Sequence, residues 1–564
     1  MSGIELSPAW TLILGAALVP FLRGTARGAW TVVLPIAGML QLWLLPAGEY
    51  GQLQFLGEQL LLVRVDRWSQ LFSFIFLIAA LVSSIYALHV RDGVQSAAGL
   101  SYAGAAIGAV LAGDLLTLFA FWELTAITSV FLIWARRTDR AYRAGMRYIL
   151  VQLVSGMLLL FGALQQLEAT GTLRFEHLGL DAPGGMLIFL AFGIKCAFPL
   201  LHNWLQDAYP EATEAGTVFL SAFTTKLAVY ALARGYAGTE ELIWIGAAMT
   251  AFPIFYAVIE NDLRRVLAYS LNNQLGFMVV GIGIGTELAL NGTAAHAFSH
   301  ILYKALLFMS MGAVLYRVGT VNGSELGGLY KSMPWTTGFC VVGAASISSF
   351  PLFSGFISKS MILSAAAGEG LTVTWLVLLF ASAGVFHHSG IKIPYFAFFA
   401  HDSGKRCEEA PRNMLVAMAI AAFLCVGIGV YPDPLYALLP FAVDYVPYTG
   451  SHVLTQLQLL LFSALAFSVL MRTGIYPPEM RVVNLDSDWL YRRAAPAVLR
   501  AAAAAGRFTV RELGALLWRP WRAALGWVAR HHGPRGLLAT TWTTGEMALW
   551  MALLLAGYLL VFYL

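Results

Sequence analysis

Charge is what this chain has least of. Lys, Arg, Asp and Glu make up 12% of its 564 residues, against about 25% in an ordinary soluble domain. Scarce charge and a net balance of only +4 exclude a soluble enzyme, a disordered chain and a nucleic-acid binder. Cysteine is equally sparse. Cys196, Cys340, Cys407 and Cys425 lie far apart and mostly in apolar runs, which excludes a disulfide framework and metal-ligand spacing and leaves small buried hydrophobes. There is no CxxC pair, no phosphate-binding glycine loop after a strand and no nucleophile elbow. The chain is therefore expected to hold no cofactor and no metal, and to draw energy from an ion gradient or from a partner.

What the sequence has instead is apolar surface. It is 59% hydrophobic and 13% aromatic, with a mean hydropathy of +0.71. That composition defines an all-α polytopic membrane protein. A crossing helix needs about 20 apolar residues, and the sequence offers sixteen candidate spans: 8–22, 29–46, 69–90, 95–112, 114–135, 146–167, 185–205, 214–236, 240–260, 264–284, 290–316, 335–365, 371–399, 411–430, 455–472 and 545–564. The expected number of transmembrane helices is 14 to 16. The first span has only Glu5 before it and no basic flank, so it reads as a retained helix and not a cleaved signal.

Alternate connections differ sharply in basic residues. One set holds Arg23, Arg27, Arg91, the Arg136–Arg147 cluster, Arg264, Arg265, Arg317, Lys331, Lys405, Arg406, Arg412 and the arginines from 472 to 535; the other holds little beyond Arg64, Arg67, Arg174 and Arg234. Cytoplasmic loops carry the basic excess, so both termini are expected on the periplasmic side of a bacterial cytoplasmic (inner) membrane. Residues 473–544 interrupt the spans. Leu516, Leu517, Trp521 and Leu525 recur near helical spacing among arginines, the pattern of a basic amphipathic helix on the inner membrane surface, with Pro520 placed to kink it.

An internal repeat is visible in the lysines. Lys195 and Lys226 fall in spans seven and eight, Lys359 and Lys392 in spans twelve and thirteen, with Pro199 and Gly193 near the first pair and Pro351 and Gly355 near the second. An offset of five spans reverses every matched helix, so the two units are expected to be inverted copies with discontinuous helices. The chain then divides into N-terminal helices (1–94), a first five-helix repeat (95–236), a second inverted repeat (237–400), peripheral helices (401–472), the basic segment (473–544) and a C-terminal helix (545–564).

Ionisable groups within spans are expensive, about 2.5 kcal/mol or more each, and so mark function. Glu123, Lys195, Lys226, His296, His300, Lys304, Lys359 and Lys392 all lie inside spans or at their breaks. His296, His300 and Lys304 are spaced i, i+4, i+8, on one helix face about 6 Å apart per step, suited to passing a proton through intervening water. Desolvation disfavours a buried ammonium and a nearby carboxylate favours it, so Glu123 with Lys195 forms a loading switch. A sodium cage needs several oxygen ligands, and Glu123 is the one carboxylate deep in a span; carbonyls freed near Pro199 and Pro351 leave a cation site open. His387 and His388 are adjacent and point to different faces, a relay or surface pair and not a metal pair.

Five ordered motifs carry a family resemblance: FWEL at 121–124, GIKCAFPLLHNWLQDAYP at 193–210, DLRRVLAYSLNNQLGFM at 262–278, HAFSHILYKALLF at 296–308 and SFPLFSGFISKSMIL at 349–363. Together they resemble the antiporter-like subunits of Mrp-type multisubunit Na⁺/H⁺ antiporters (the D/A type of large subunit), related to the proton-pumping subunits of respiratory NADH:quinone oxidoreductase and membrane-bound hydrogenases. LDSDWLYRR at 485–493 is similar to the region before the terminal helices of Mrp-type large subunits. The resemblance implies two inverted five-helix bundles, each with a broken helix. It implies that Glu123 pairs with Lys195, that Lys226 bridges, that His300 and Lys304 continue a central hydrophilic axis, and that Lys359 is the terminal lysine. Departures are YPEATEAGT in place of a proline-rich turn, Gln206 where proline is common, and Lys392 with His387 and His388, which lie outside the shared pattern.

The leading expectation is a secondary transporter subunit, not an enzyme: the proton-translocating chain of an Mrp-like monovalent cation (Na⁺)/proton antiporter. Its partners would be the lipid bilayer, other membrane subunits of a hetero-oligomer, H⁺ and Na⁺ or another monovalent cation, with no nucleic acid. The alternatives are a proton-pumping subunit of a redox-driven complex and an energising subunit for inorganic-carbon uptake.

Overall fold

A computed structural model of the chain describes residues 7–55, 57–482, 484–536 and 542–563. Glu5, in the flank of the first span, and residues 537–541 of the basic segment lie outside them. The chain forms two compact units, Met1–Asn484 and Leu485–Leu564.

The first unit is built almost entirely from helices. It opens with α1 (Pro8–Leu18) and α2 (Gly24–Leu44), then a hairpin of β1 (Gly48–Phe55) and β2 (Glu58–Val65), then α3 (Arg67–Tyr86), α4 (Gly93–Leu111), α5 (Leu115–Trp134) and α6 (Asp139–Thr170). A broken segment follows as α7 (Gly185–Cys196), α8 (Asn203–Ala208), α9 (Glu214–Ala222) and α10 (Thr224–Gly235). The next stretch comprises α11 (Glu241–Ile259), α12 (Leu263–Ile284), α13 (Glu287–Val318), α14 (Pro334–Ile347), α15 (Ser354–Gly368), α16 (Thr372–Val385) and α17 (Lys392–Pro394). The last two are joined by a wide turn of helix at Phe386–Ile391. α18 (Arg412–Val430), α19 (Asp433–Tyr436) and α20 (Gly450–Thr473) close the unit. The second unit holds α21 (Ala495–His532) and α22 (Thr544–Tyr563). Pro520 lies inside α21, and Leu516, Leu517, Trp521 and Leu525 are exposed along it.

Among the described residues, 11 helical segments are long and apolar enough to cross a membrane, fewer than the sixteen spans expected. The differences have local causes. The first span is an 11-residue helix and a short 3-10 turn, the seventh stops at Cys196, and the twelfth breaks between Ile347 and Ser354. α12 is long enough at 22 residues but carries Arg264, Arg265, Asn272, Asn273 and Gln274. The hairpin is the departure from an all-helical chain. Its strands pair from Gly48 with Val65 to Phe55 with Glu58, and an averaged hydropathy window hides so short an alternation. The hairpin is anchored through Leu61, whose N–H donates to Asp114 at 2.8 Å.

A structural repeat runs through the first unit. Asp114 caps α5 and Asp262 caps α12, and each forms an isolated bridge, with Arg174 and with Asn322. α6 and α13 are both 32 residues long, capped at the start by Thr138 and Thr286 and at the end by left-handed Gly171 and Gly319. Each pair is separated by 148 residues (262 less 114, 319 less 171). The breaks repeat too: Ala197 and Leu200 in the first half, Ser349 and Leu352 in the second, all adopt positive φ. Such a conformation costs a non-glycine residue about 1–3 kcal/mol, so its appearance twice in matched places marks both breaks as built features of the fold. Lys195 lies just before the first break and Lys359 just after the second.

Candidate functional site

Both breaks put a lysine where backbone carbonyls lose their helical partners. Lys195 sits in the last turn of α7, where the helix dipole favours a cation. Its Nζ donates to Trp122 O at 2.5 Å and to Thr125 Oγ1 at 2.8 Å and lies 4.4 Å from the centre of the Trp122 ring. Trp122 is held by its own N–H to Ser155, which in turn donates to Ala191 O, so α5, α6 and α7 are tied at this level.

Glu123, one residue on, is half-buried on α5. No ion pair with Lys195 within 4.0 Å is formed among the described residues. The two are within electrostatic reach, yet Glu123 Oε1 is buried without a hydrogen-bond partner. The carboxylate lies over Gly156 of α6, in the space a Cβ there would need. A side chain at 156 is therefore incompatible with this carboxylate position. Gly156→Ala is expected to slow any transport that uses Glu123 by about tenfold to a hundredfold, the scale of a misplaced catalytic group, with normal assembly; proton flux in reconstituted vesicles checks this, and an unchanged rate contradicts it.

Lys226 follows the α9–α10 break at Phe223. Its Nζ donates to the Ser221 carbonyl at 2.6 Å, while Tyr102 OH accepts the Thr224 N–H at 2.9 Å. Lys226 is within electrostatic reach of His296, His300 and Lys304 on α13. On α13 the His296 and His300 rings are near-parallel at 6.2 Å. His296 meets Ser358 Oγ through Nδ1 at 3.1 Å and Tyr303 OH through Nε2 at 3.4 Å, and Tyr303 donates to Gln274 at 3.0 Å. Both ring nitrogens of His300, and Lys304 Nζ, are buried without partners.

Lys359, on α15, donates to Ile347 O at the end of α14 at 3.1 Å and lies 5.0 Å from the Phe277 ring centre. It lines a cavity of about 160 Å³ with Ser349, Ser360, His452 and Gln456. Lys392 is buried and does not snorkel: it donates to Val258 O at 2.6 Å and Glu260 O at 2.7 Å, where α11 ends, and pairs with Glu479 at 2.9 Å.

The structure thus places Glu123 within electrostatic reach of Lys195 without pairing the two, and Lys226 within electrostatic reach of His296, His300 and Lys304 while it bonds to Ser221 O. It also adds residues that sequence reasoning passed over. Gln152 and Asn272 are buried with both amide atoms unpaired; polar side chains inside spans were the available signal. Glu479 had none, since it lies in a connection after α20. Burial holds its carboxyl above the usual range against the pull of Lys392. An unpaired buried polar atom costs about 1–3 kcal/mol, so a file of them suits a hydrated, proton-conducting interior.

Buried lysines at repeated helix breaks define a polytopic membrane protein of the ion-translocating kind of fold. Comparison with known proteins agrees. The profile described as NADH:quinone oxidoreductase/Mrp antiporter, TM matches residues 112–386. An Na(+)/H(+) antiporter subunit of Alkalihalophilus pseudofirmus is 30% identical over 353 residues, 58% of this chain and 71% of that protein. Hydrogenase-4 component B of Escherichia coli is 27% identical over 417 residues, 65% of this chain and 62% of that one. In fold, a chain of the Mrp complex from Dietzia sp. DQ12-45-1b superposes with a TM-score of 0.77 at 24% identity, covering 93% of this chain and 62% of that one. The chain belongs to the NADH:quinone oxidoreductase/Mrp antiporter transmembrane family.

Proposed function

We propose that the chain is the ion-translocating membrane subunit of a multisubunit Mrp-like monovalent cation/proton antiporter in a bacterial cytoplasmic membrane, with both termini periplasmic. Protons move along Glu123, Lys195, Lys226, His300 and His296, Lys304 and Lys359, with Lys392 as a branch, and Na⁺ is the exchanged cation. The observation that supports this reading is the burial of lysines at the helix breaks, with Lys226 and Lys359 on carbonyls at those breaks and Lys195 on Trp122 O of α5. A lysine bound to a neutral carbonyl holds its proton only as long as a carboxylate or another cation lets it. Movement of Glu123 toward or away from Lys195 therefore loads or unloads it, and repulsion among Lys226, His300 and Lys304 passes the change onward.

The antiporter assignment is supported by the antiporter subunits among the relatives, the Alkalihalophilus chain at 30% identity being one; a redox-complex relative, NADH-quinone oxidoreductase subunit N of Desulforudis audaxviator, is 31% identical, so identity does not rank the two readings. The hydrogenase relative aligns over the longer stretch, 417 residues against 353, which favours as second reading the same relay driven by redox partners. Isolation of the native complex and identification of its chains separates the two. An antiporter is expected to bring small hydrophobic partners alone; flavin or iron–sulfur proteins in stoichiometric amount contradict that assignment.

A further inference from the structure

The strap that follows α20 brings a second carboxylate to the buried lysines. Residues 474–482 are fastened at two points, and the chain is held again just beyond them. Tyr476 is buried with its ring near-parallel to His387 at 5.5 Å, Arg481 pairs with Glu325 at 2.8 Å, and just beyond, Asn484 donates to Glu260 Oε2 at 3.3 Å. Between these fastenings Glu479 turns inward, its side chain 6% exposed, to meet Lys392 at 2.9 Å. Its other oxygen, Oε2, is buried without a hydrogen-bond partner.

On the inner side of this pair the helix widens at Phe386–Ile391 and presents two histidines. Each has a buried Nε2 without a partner, and His388 is within electrostatic reach of Lys304 and Lys359 as well as Lys392. Buried Glu260, paired with Arg265 at 3.9 Å, is bonded to the strap through Asn484, and Arg481 ties the strap to a charged surface with Glu325 and Lys405.

We propose that Glu479 is the surface-side proton carrier of a branch that joins the relay through Lys392 and His388. This rests on the relay reading above. A proton from the surface neutralises Glu479. Lys392, buried and without its counter-charge, passes its own proton inward through His388 toward Lys304. The neutral lysine then takes the proton from Glu479, and the pair is restored. One proton moves per cycle and every group returns to its starting form.

A purely structural staple would not need these charges. A buried ion pair is close to break-even with apolar side chains of similar size, whereas removal of one partner is strongly destabilising. That asymmetry gives the test. In the native complex reconstituted into vesicles, E479Q, K392Q and the double variant K392Q/E479Q are all expected to lower proton flux by about a hundredfold, the lower range for loss of a proton-transfer group. E479D, which keeps the charge, is expected to retain part of the flux. Recovery in the double variant overturns the proposal in favour of a staple. Wild-type flux in E479Q overturns the branch while leaving the relay intact, provided E123Q stops transport; normal flux in E123Q removes the relay itself. Should a variant fail to assemble, the wild-type complex decides. Glu479 is expected to react with a hydrophobic carbodiimide, more slowly at alkaline pH, and no reaction at mildly acid or alkaline pH contradicts a carboxyl that cycles.

Discussion

Glu123→Gln and Lys195→Met are each expected to lower proton flux through the reconstituted complex by about a hundredfold or more, the effect of deleting a positioned proton-transfer group. Neither should prevent assembly. Glutamine keeps the shape that fits over Gly156, and Glu123 Oε1 has no hydrogen bond to lose. Methionine keeps most of the Lys195 volume beside Trp122, although it leaves Trp122 O without the donor that lysine supplies. The two residues act as one unit in this account, so the double variant should be no slower than the slower single variant. A product of the two individual losses would show that they serve separate steps.

The second large effect is on stability. Arg264→Ala is expected to destabilise the chain by about 2–3 kcal/mol, the upper part of the cost of leaving a buried neutral hydrogen-bonding group unmet. Arg264 is buried at the start of α12 and spends its guanidinium on the connection from α8 to α9. It donates to Pro210 O, Ala212 O and Thr213 O, each at 3.1 Å, and to Thr217. Pro210 O also accepts from Arg136 and Thr213 O from the Thr217 N–H, so the loss of the arginine falls chiefly on the buried Ala212 O, which is left unmet. Lysine has no planar fork and should recover less than half of the loss. Arg140, whose side chain is 65% exposed beside Glu211, is the control: Arg140→Ala should cost no more than about 1 kcal/mol. Denaturant titration in mixed micelles reads both. Equal effects at the two positions would mean that Arg264 does not hold the break.

Much of this was legible in the residues and some was not. The lysines and histidines inside apolar runs could be found without any structure, because a membrane makes each such residue costly and therefore meaningful. The helix breaks were signalled by Pro199 and Pro351, and both occur within a few residues of them. The arginines of 136–147 and 264–265 read only as markers of the cytoplasmic face. In the fold several are braces: Arg147 grips Asp207 at 2.6 Å, and Arg136 and Arg264 share Pro210 O. Nothing in a linear sequence says which distant carbonyl a guanidinium will reach. The β-hairpin escaped because strands of 8 residues are shorter than the window that finds a span. Glu479 escaped because its burial depends on how a strap folds back across α11 and the widened helix at 386–391, a tertiary event without a local pattern.

The proposed role of the chain as a cation-coupled proton route is tested most directly by one measurement. The native complex is sealed into vesicles with an internal pH indicator, and external Na⁺ is raised without any electron donor. A prompt internal pH change is predicted with the wild-type chain, and its loss with Glu123→Gln. No pH change with Na⁺, K⁺ or Li⁺ in the wild type, or an equal change in the variant, would contradict that role.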